Sequence, residues 1–248
     1  MTESSRVSCT IGLDAPGKRS GFLNVPWSRD DSAWGAIRVP IHVVRGGDGP
    51  TVLFTGANHG DEYEGPIALF KLAHRLEASR LKGRVILLPT MNHPAAQAGT
   101  RTSPIDGVNM NRCFPGRCHG TPTLMLAHYA YHHLVGRADV VVDLHSGGKT
   151  LDFVPSVTMH ELDDREPDLV HHAAHDPIPA LVQRDSQQRL SLVHVDDGQL
   201  VHRHGPVVEF DAVAQHAAQR ARHLSPHGGE VGLGDLIGRV HEAMRELP

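Results

Sequence analysis

The sequence predicts an α/β fold: a mixed, mainly parallel sheet flanked by helices. Two observations carry that expectation. Residues 51–89 read strand–helix–strand, and such a crossover favours parallel pairing in one sheet. A further apolar run, Ala138-Asp-Val-Val-Val-Asp-Leu144, reads as another buried parallel strand. With 248 residues the chain is long enough to bury a sizeable core, as one large domain or two small ones.

Residues 1–20 are polar and expected to be loosely ordered. Gly21-Phe-Leu-Asn-Val-Pro26 and the stretch from Trp34 to Val44 read as strands, the second with β-branched residues in partial alternation. Arg45-Gly-Gly-Asp-Gly-Pro50 is a turn cluster, and Val52 to Thr55 a short buried strand. From Gly65 to Leu81, apolar residues at Ile67, Leu69, Phe70, Leu72, Ala73 and Leu76 follow helical spacing, and Lys82-Gly83 ends the run. Arg84-Val-Ile-Leu-Leu-Pro89 is a buried strand. A loop from Thr90 to about Thr121 follows, and its length marks it as functional or disordered. Thr123 to Val135 reads as a helix. The expected organisation is a loosely ordered segment over 1–20, an α/β core over 21–160 and a divergent segment over 161–248.

Composition excludes several classes. The apolar fraction of 40% and charged fraction of 21% fit a soluble globular protein. A net charge of −4 leaves no basic excess for nucleic acid. The apolar runs are too short to span a bilayer. The start, Met-Thr-Glu-Ser-Ser-Arg, lacks the pattern of a signal peptide, so a cytoplasmic protein is expected. Cys9, Cys113 and Cys118 are too few for a disulfide framework and read as incidental thiols.

The chemistry-bearing residues gather at predicted strand ends. His59 and Glu62 lie three apart where a strand gives way to a helix, and His145 follows another strand. Ligands collect outside the carboxyl ends of strands in open α/β sheets. Two imidazoles and a carboxylate with one open position are what a catalytic zinc takes. Asp143 lies on the same side of its strand as His145 and could orient an imidazole. Arg101 and Arg112 lie in the long loop. A guanidinium there can grip a substrate carboxylate or stabilise a developing oxyanion, and Asn109 and Asn111 can add amide hydrogen bonds. Taken singly, each residue has a plainer reading: a filler histidine, a helix N-terminal acid, a solvated loop charge or a turn asparagine.

Asn58-His-Gly-Asp-Glu62, Arg101 with Asn111-Arg112-Cys-Phe-Pro115, and Asp143-Leu-His-Ser146 resemble the succinylglutamate desuccinylase/aspartoacylase family of zinc carboxypeptidase-like hydrolases. Gly60-Asp-Glu-Tyr-Glu-Gly65, Ala98 to Gly107 and Asp143 to Phe153 are similar, within it, to the N-acetyl-diaminobutyrate deacetylases of ectoine degradation. The resemblance covers about residues 20–155. It implies a zinc carboxypeptidase-like fold and one zinc per chain, held by His59, Glu62 and His145. It implies Arg101 beside the scissile carbonyl, with Asn111 and Arg112 on the substrate carboxylate. The implied reaction is cleavage of the amide bond of a small N-acyl amino acid. A related desuccinylase, aspartoacylase or carboxypeptidase activity is one alternative, and a truncated zinc-binding remnant without turnover is another.

The family's chemistry also needs a general-base glutamate further along the chain. Glu209, in Val207-Val-Glu209-Phe after a short apolar run, is the candidate for it; Glu230 stands in a similar context with no strand before it. From about Glu166 the chain departs from the resemblance. Of 20 histidines, 11 follow residue 157, and no lysine follows Lys149. The C-terminal part is therefore expected to be truncated or divergent, and a reading-frame change near residue 165 would account for it. Loss of the family's C-terminal portion would expose apolar surface or sheet edges, so an oligomer is one expected outcome.

Overall fold

The computed structural model describes residues 4–31 and 33–151, and also 157–160, 180–184, 189–194 and 207–209 as backbone strands. Its centre is a βαβ unit. Strand β4 (Gly47–Gly56) leads into helix α1 (Glu64–Arg75) and returns as β5 (Lys82–Leu88), which pairs parallel to β4. On the other side β4 pairs parallel to β6 (Val140–His145), so β4 lies between two parallel neighbours. Residues Thr51 to Gly56 are all buried, which is why this strand reads as a continuous apolar run.

A long hairpin, β2 (Gly17–Pro26) with β3 (Ala36–Arg45), adds to the β5 edge, and the short β1 (Ser8–Cys9) pairs with β2. Beyond β6, the register sets β10 (Val207–Glu209) antiparallel to it, followed by β7 (Val157–His160), β9 (Arg189–His194) and β8 (Ala180–Arg184). The expected mixed sheet with flanking helices is present. Parallel pairing, however, is confined to β5-β4-β6 and to β10 with β7; the remaining pairs are antiparallel. The βαβ pattern that motivated a mainly parallel sheet accounts only for its centre. Hairpins supply the edges.

Strand alternation divides the apolar residues between two cores. Val52, Phe54, Val85, Leu87, Val142 and Leu144 face α1, meeting Ala68, Leu69, Leu72 and Ala73. Leu53, Ile86, Leu88 and Val141 face the other way. There they join Ile41 and Val43 of the hairpin and Met125, Leu126 and Leu134 from α3 (Pro122–Tyr129) and the turns after it. Helix α1 tolerates Pro66 because it falls in the first turn, where no intrahelical amide bond is lost.

Several expectations need correction. Residues 1–20 are not wholly loose: β1 and the start of β2 lie there, and Val7 and Leu13 enter the core. In the Arg45–Pro50 cluster, Arg45 ends β3 and Gly47 to Pro50 are the irregular start of β4, whose register against β5 shifts between Gly47 and Thr51. The predicted helix stops at Arg75, a 3₁₀ turn covers Ala78–Arg80, and Lys82 already begins β5. The predicted long loop contains α2 (His93–Ala98), which has Pro94 in its first turn and ends at left-handed Gly99, and a 3₁₀ turn at Met110–Arg112. Most of 161–248 lies outside the described residues, including Glu230. Among the described residues no helix is long and apolar enough to cross a membrane.

Asp106 fixes the stretch that carries Arg101, Asn111 and Arg112. Its carboxylate accepts from the Thr123 amide and hydroxyl at the start of α3, at 3.0 and 2.9 Å, and from the Val108 amide at 3.2 Å. Burial opposes ionisation, but donors from Thr121, Thr123 and Val108 outweigh it and hold the carboxyl below its ordinary value. Asp106→Ala should lower unfolding stability at pH 7 by about 1–2 kcal/mol, the cost of losing a helix cap and its hydrogen bonds. Because the folded-state value is depressed, Asp106 contributes fully above its unfolded value of roughly 4, and the contribution is lost as pH falls through the folded value. Urea denaturation of wild type and variant should show their gap narrowing on acidification below about pH 4. A gap that widens there contradicts this role for Asp106.

Candidate metal centre

Two strand ends converge to build the site. Beyond Gly56, buried Ala57 takes a left-handed conformation (φ 51°), unusual for a residue with a side chain. It breaks the strand direction so that Asn58 and His59 turn over the end of β4. The Gly56 carbonyl accepts from the Met91 amide and the Ala57 carbonyl from the Asn92 amide, at 2.8 and 3.0 Å. The turn is thereby tied to the chain leaving β5. Gly60 lets it pack against α2, since a Cβ there would lie 2.0 Å from the Ala95 carbonyl carbon. Glu62 follows three residues after His59, and α1 begins at Glu64.

His145 ends β6, one parallel strand away. The Glu62 carboxylate lies between the imidazoles, Oε1 at 2.7 Å from His59 Nδ1 and Oε2 at 2.9 Å from His145 Nδ1. The Ser146 amide donates to the same Oε2 at 3.2 Å. All three residues are buried, each 3% exposed. One ligand atom from each lies within 4.8 Å of the others.

Asp143 supports this cluster from behind. Its Oδ2 is 3.0 Å from His145 Nε2, which donates to it, so Nδ1 is the nitrogen that would lose its proton and turn a lone pair to a cation at the centre. Thr55, its register partner on β4, donates its hydroxyl to Oδ1 at 2.6 Å. Asn58 Nδ2 donates to Oδ2 at 2.9 Å. Burial disfavours the charged forms here, and the partners override it. The imidazoles pull Glu62 down to about 2. His145, with Thr55 and Asn58, holds Asp143 low, and Asp143 with Glu62 holds His145 high.

The donor set fits a divalent cation. Two imidazole Nδ1 atoms and a carboxylate face one point, one imidazole tautomer is fixed from behind, and two buried carboxylates would balance the charge. His59 Nε2, the nitrogen turned away from Glu62, is buried without a hydrogen-bond partner among the described residues.

The other predicted residues divide. Arg101 reaches the centre: Nη1 is 3.7 Å from Glu62 Oε1, and the side chain is 56% exposed. Asn111 borders it, its Oδ1 accepting from Asn58 Nδ2 at 3.4 Å. Asn109 accepts from the Asn111 amide and caps the 3₁₀ turn. Arg112 is exposed, and its side chain donates to the Asn111 carbonyl rather than to the cluster. Glu209 falls in β10, in register opposite Asp143 and one strand from His145.

Sequence reasoning missed Thr55, Asn58, Ser146 and Glu64. Ser146 donates its hydroxyl to Glu64 while its amide holds Glu62. The signal for Thr55 was its place at a parallel strand end, level with Asp143. For Asn58 it was an amide beside a ligand where a buried polar group needs partners.

The family model for the succinylglutamate desuccinylase/aspartoacylase catalytic domain matches residues 48–224. The chain is 54% identical over 162 residues to the N-alpha-acetyl-L-2,4-diaminobutyric acid deacetylase of Halomonas elongata, covering 65% of this chain and 47% of that protein. The product-bound structure of the ectoine utilization protein EutE (DoeB) from Ruegeria pomeroyi is 53% identical, with a TM-score of 0.63 over 66% of this chain and 50% of that one. A succinylglutamate desuccinylase from Silicibacter sp. TM1040 is 39% identical, with a TM-score of 0.70 over 98% of this chain and 69% of that one. The chain thus spans about half the length of the deacetylase and of EutE.

Asp143→Asn replaces the carboxylate behind His145 by an amide of the same shape. Zinc affinity, measured by chelator competition, should fall about 10–100-fold while stoichiometry stays at one. An affinity equal to wild type would show that Asp143 does not orient a ligand.

Proposed function

Because the chain belongs to the succinylglutamate desuccinylase/aspartoacylase family, we propose that it hydrolyses the amide bond of a small N-acyl amino acid, using one zinc ion held by His59, Glu62 and His145. The observation that carries this reading is the buried His59–Glu62–His145 cluster with the Arg101 guanidinium at its edge. The identity to a diaminobutyrate deacetylase and to an ectoine utilization protein supports N-acetyl-diaminobutyrate as the substrate and ectoine degradation as the setting. We place that reaction in the cytoplasm.

Zinc bound there would supply Lewis acidity, polarising the amide carbonyl and acidifying water. The chain's own residues supply the rest. Arg101, half-exposed beside Glu62, is the donor for the oxyanion that forms on the scissile carbonyl. Asn111 and Arg112, on one 3₁₀ turn, take the substrate carboxylate; binding substrate would require the exposed Arg112 to turn inward. Glu209 takes a proton from the attacking water and returns it to the leaving amine. Its register opposite Asp143 supports that role, because it brings the strand that carries Glu209 beside the end of β6.

Zinc content measured beside hydrolysis of N-acetyl-diaminobutyrate, N-succinylglutamate and N-acetylaspartate tests the reading. One zinc per chain with preferred turnover of the first is expected. Stoichiometric zinc without turnover would instead identify a zinc-binding remnant, and no zinc at all would contradict the ligand assignment. Glu209→Gln should keep its zinc and lose about 10²–10⁴ in kcat. Full turnover in that variant would remove Glu209 from the mechanism.

A further inference from the structure

Four carboxylates cluster around this centre among the described residues, and three are committed. Glu62 faces two imidazoles and the Ser146 amide. Asp143 holds Thr55, Asn58 and His145. Glu64 accepts the Ser146 hydroxyl. The fourth, Asp61, has no such engagement: its Oδ1 is buried and has no hydrogen-bond partner among the described residues. An enclosed carboxylate oxygen without a donor is costly, so one left in this state beside a reaction centre points to a ligand group that completes it.

Its surroundings fit that reading. Asp61 immediately precedes a metal-ligand position, in the turn that bears His59 and Glu62. The Asp61 carboxylate packs against Gly148, three residues beyond His145. A Cβ at Gly148 would lie 2.6 Å from Oδ2, and Gly148 is left-handed (φ 61°), so the backbone passes close without a side chain. Lys149 follows directly but sends its ammonium to the Gly99 carbonyl at 2.7 Å. The ammonium beside Gly148 is therefore not paired with Asp61, and the carboxylate is left for a small cation arriving from solution.

We propose that Asp61 accepts the free side-chain ammonium of a short diamino acid substrate and so determines specificity for N-acyl diamino acids over neutral N-acyl amino acids. This rests on the proposed activity. It deepens it, because a substrate with an acyl-amide, a carboxylate and an ammonium needs an anionic partner that zinc, Arg101, Asn111 and Arg112 do not supply. A charge-assisted pair with a partly buried carboxylate gives about a tenfold or greater preference.

Binding separates the two readings. L-2,4-diaminobutyrate and L-2-aminobutyrate differ only by the terminal ammonium and its replacement by hydrogen, and both can be titrated calorimetrically into zinc-loaded wild type and Asp61→Asn. The wild type should bind diaminobutyrate at least about tenfold more tightly, and in Asp61→Asn, a change of equal size, the ratio should fall to near one. The zinc content of the variant, equal to that of wild type, shows that the site is intact. A wild type without preference, or a preference that persists in Asp61→Asn, overturns the proposal. An intact, Asp61-dependent preference in a protein that hydrolyses no N-acyl amino acid would overturn the proposed activity and leave the subsite standing.

Discussion

The structure of the site depends on one carboxylate held between two imidazoles. Glu62 is 3% exposed, and each of its oxygens faces a histidine from a different strand end. It joins the turn after β4 to the end of β6, so it fixes the geometry between two elements that the sheet alone would merely bring near. A buried carboxylate in this position is tolerated because its partners are complete. Removing one would leave an uncompensated buried charge, at a cost of roughly 3–5 kcal/mol. Asp143 repeats the arrangement one layer back, with Thr55, Asn58 and His145. Two carboxylates, each fully engaged, therefore hold the histidines before any ion arrives.

The site also divides by rigidity. The three candidate metal ligands stand on or directly beside buried strands, where packing on both faces of the sheet limits movement. The groups that would meet substrate stand on the stretch between α2 and α3, which is more exposed: Arg101 is over half exposed, and Arg112 faces solvent. Asp106 anchors that stretch to α3 without enclosing it. Such an arrangement keeps metal geometry constant while leaving the substrate-facing side chains free to adjust, the usual division between scaffold and functional loop.

What the sequence made legible follows from what its periodicity encodes. The buried strands β4, β5 and β6 announce themselves as apolar runs, and α1 as a helical stripe, so the centre of the sheet and the strand-end placement of His59, Glu62 and His145 were readable. The edges were readable only in part. Residues 21–26 and 34–44 read as the hairpin strands, but the start of β2 from Gly17 to Ser20 is polar and mostly exposed, and β1 is two residues long. Helix α2 is too short for a periodic signal and sits inside a Gly/Pro-rich stretch. Asp61 was hidden for a different reason. Its property is a buried Oδ1 without a partner among the described residues, which only three-dimensional neighbours such as Gly148 define.

The central claim is that this cluster binds one zinc through His59 Nδ1, the Glu62 carboxylate and His145 Nδ1. Anomalous diffraction at the zinc edge, from crystals grown with one equivalent of the metal, tests it most directly. The account predicts a single strong peak bonded to those three groups, at about 2.0–2.2 Å, with His145 Nε2 still on Asp143. A peak elsewhere, or ligation through the opposite ring nitrogens, would contradict it.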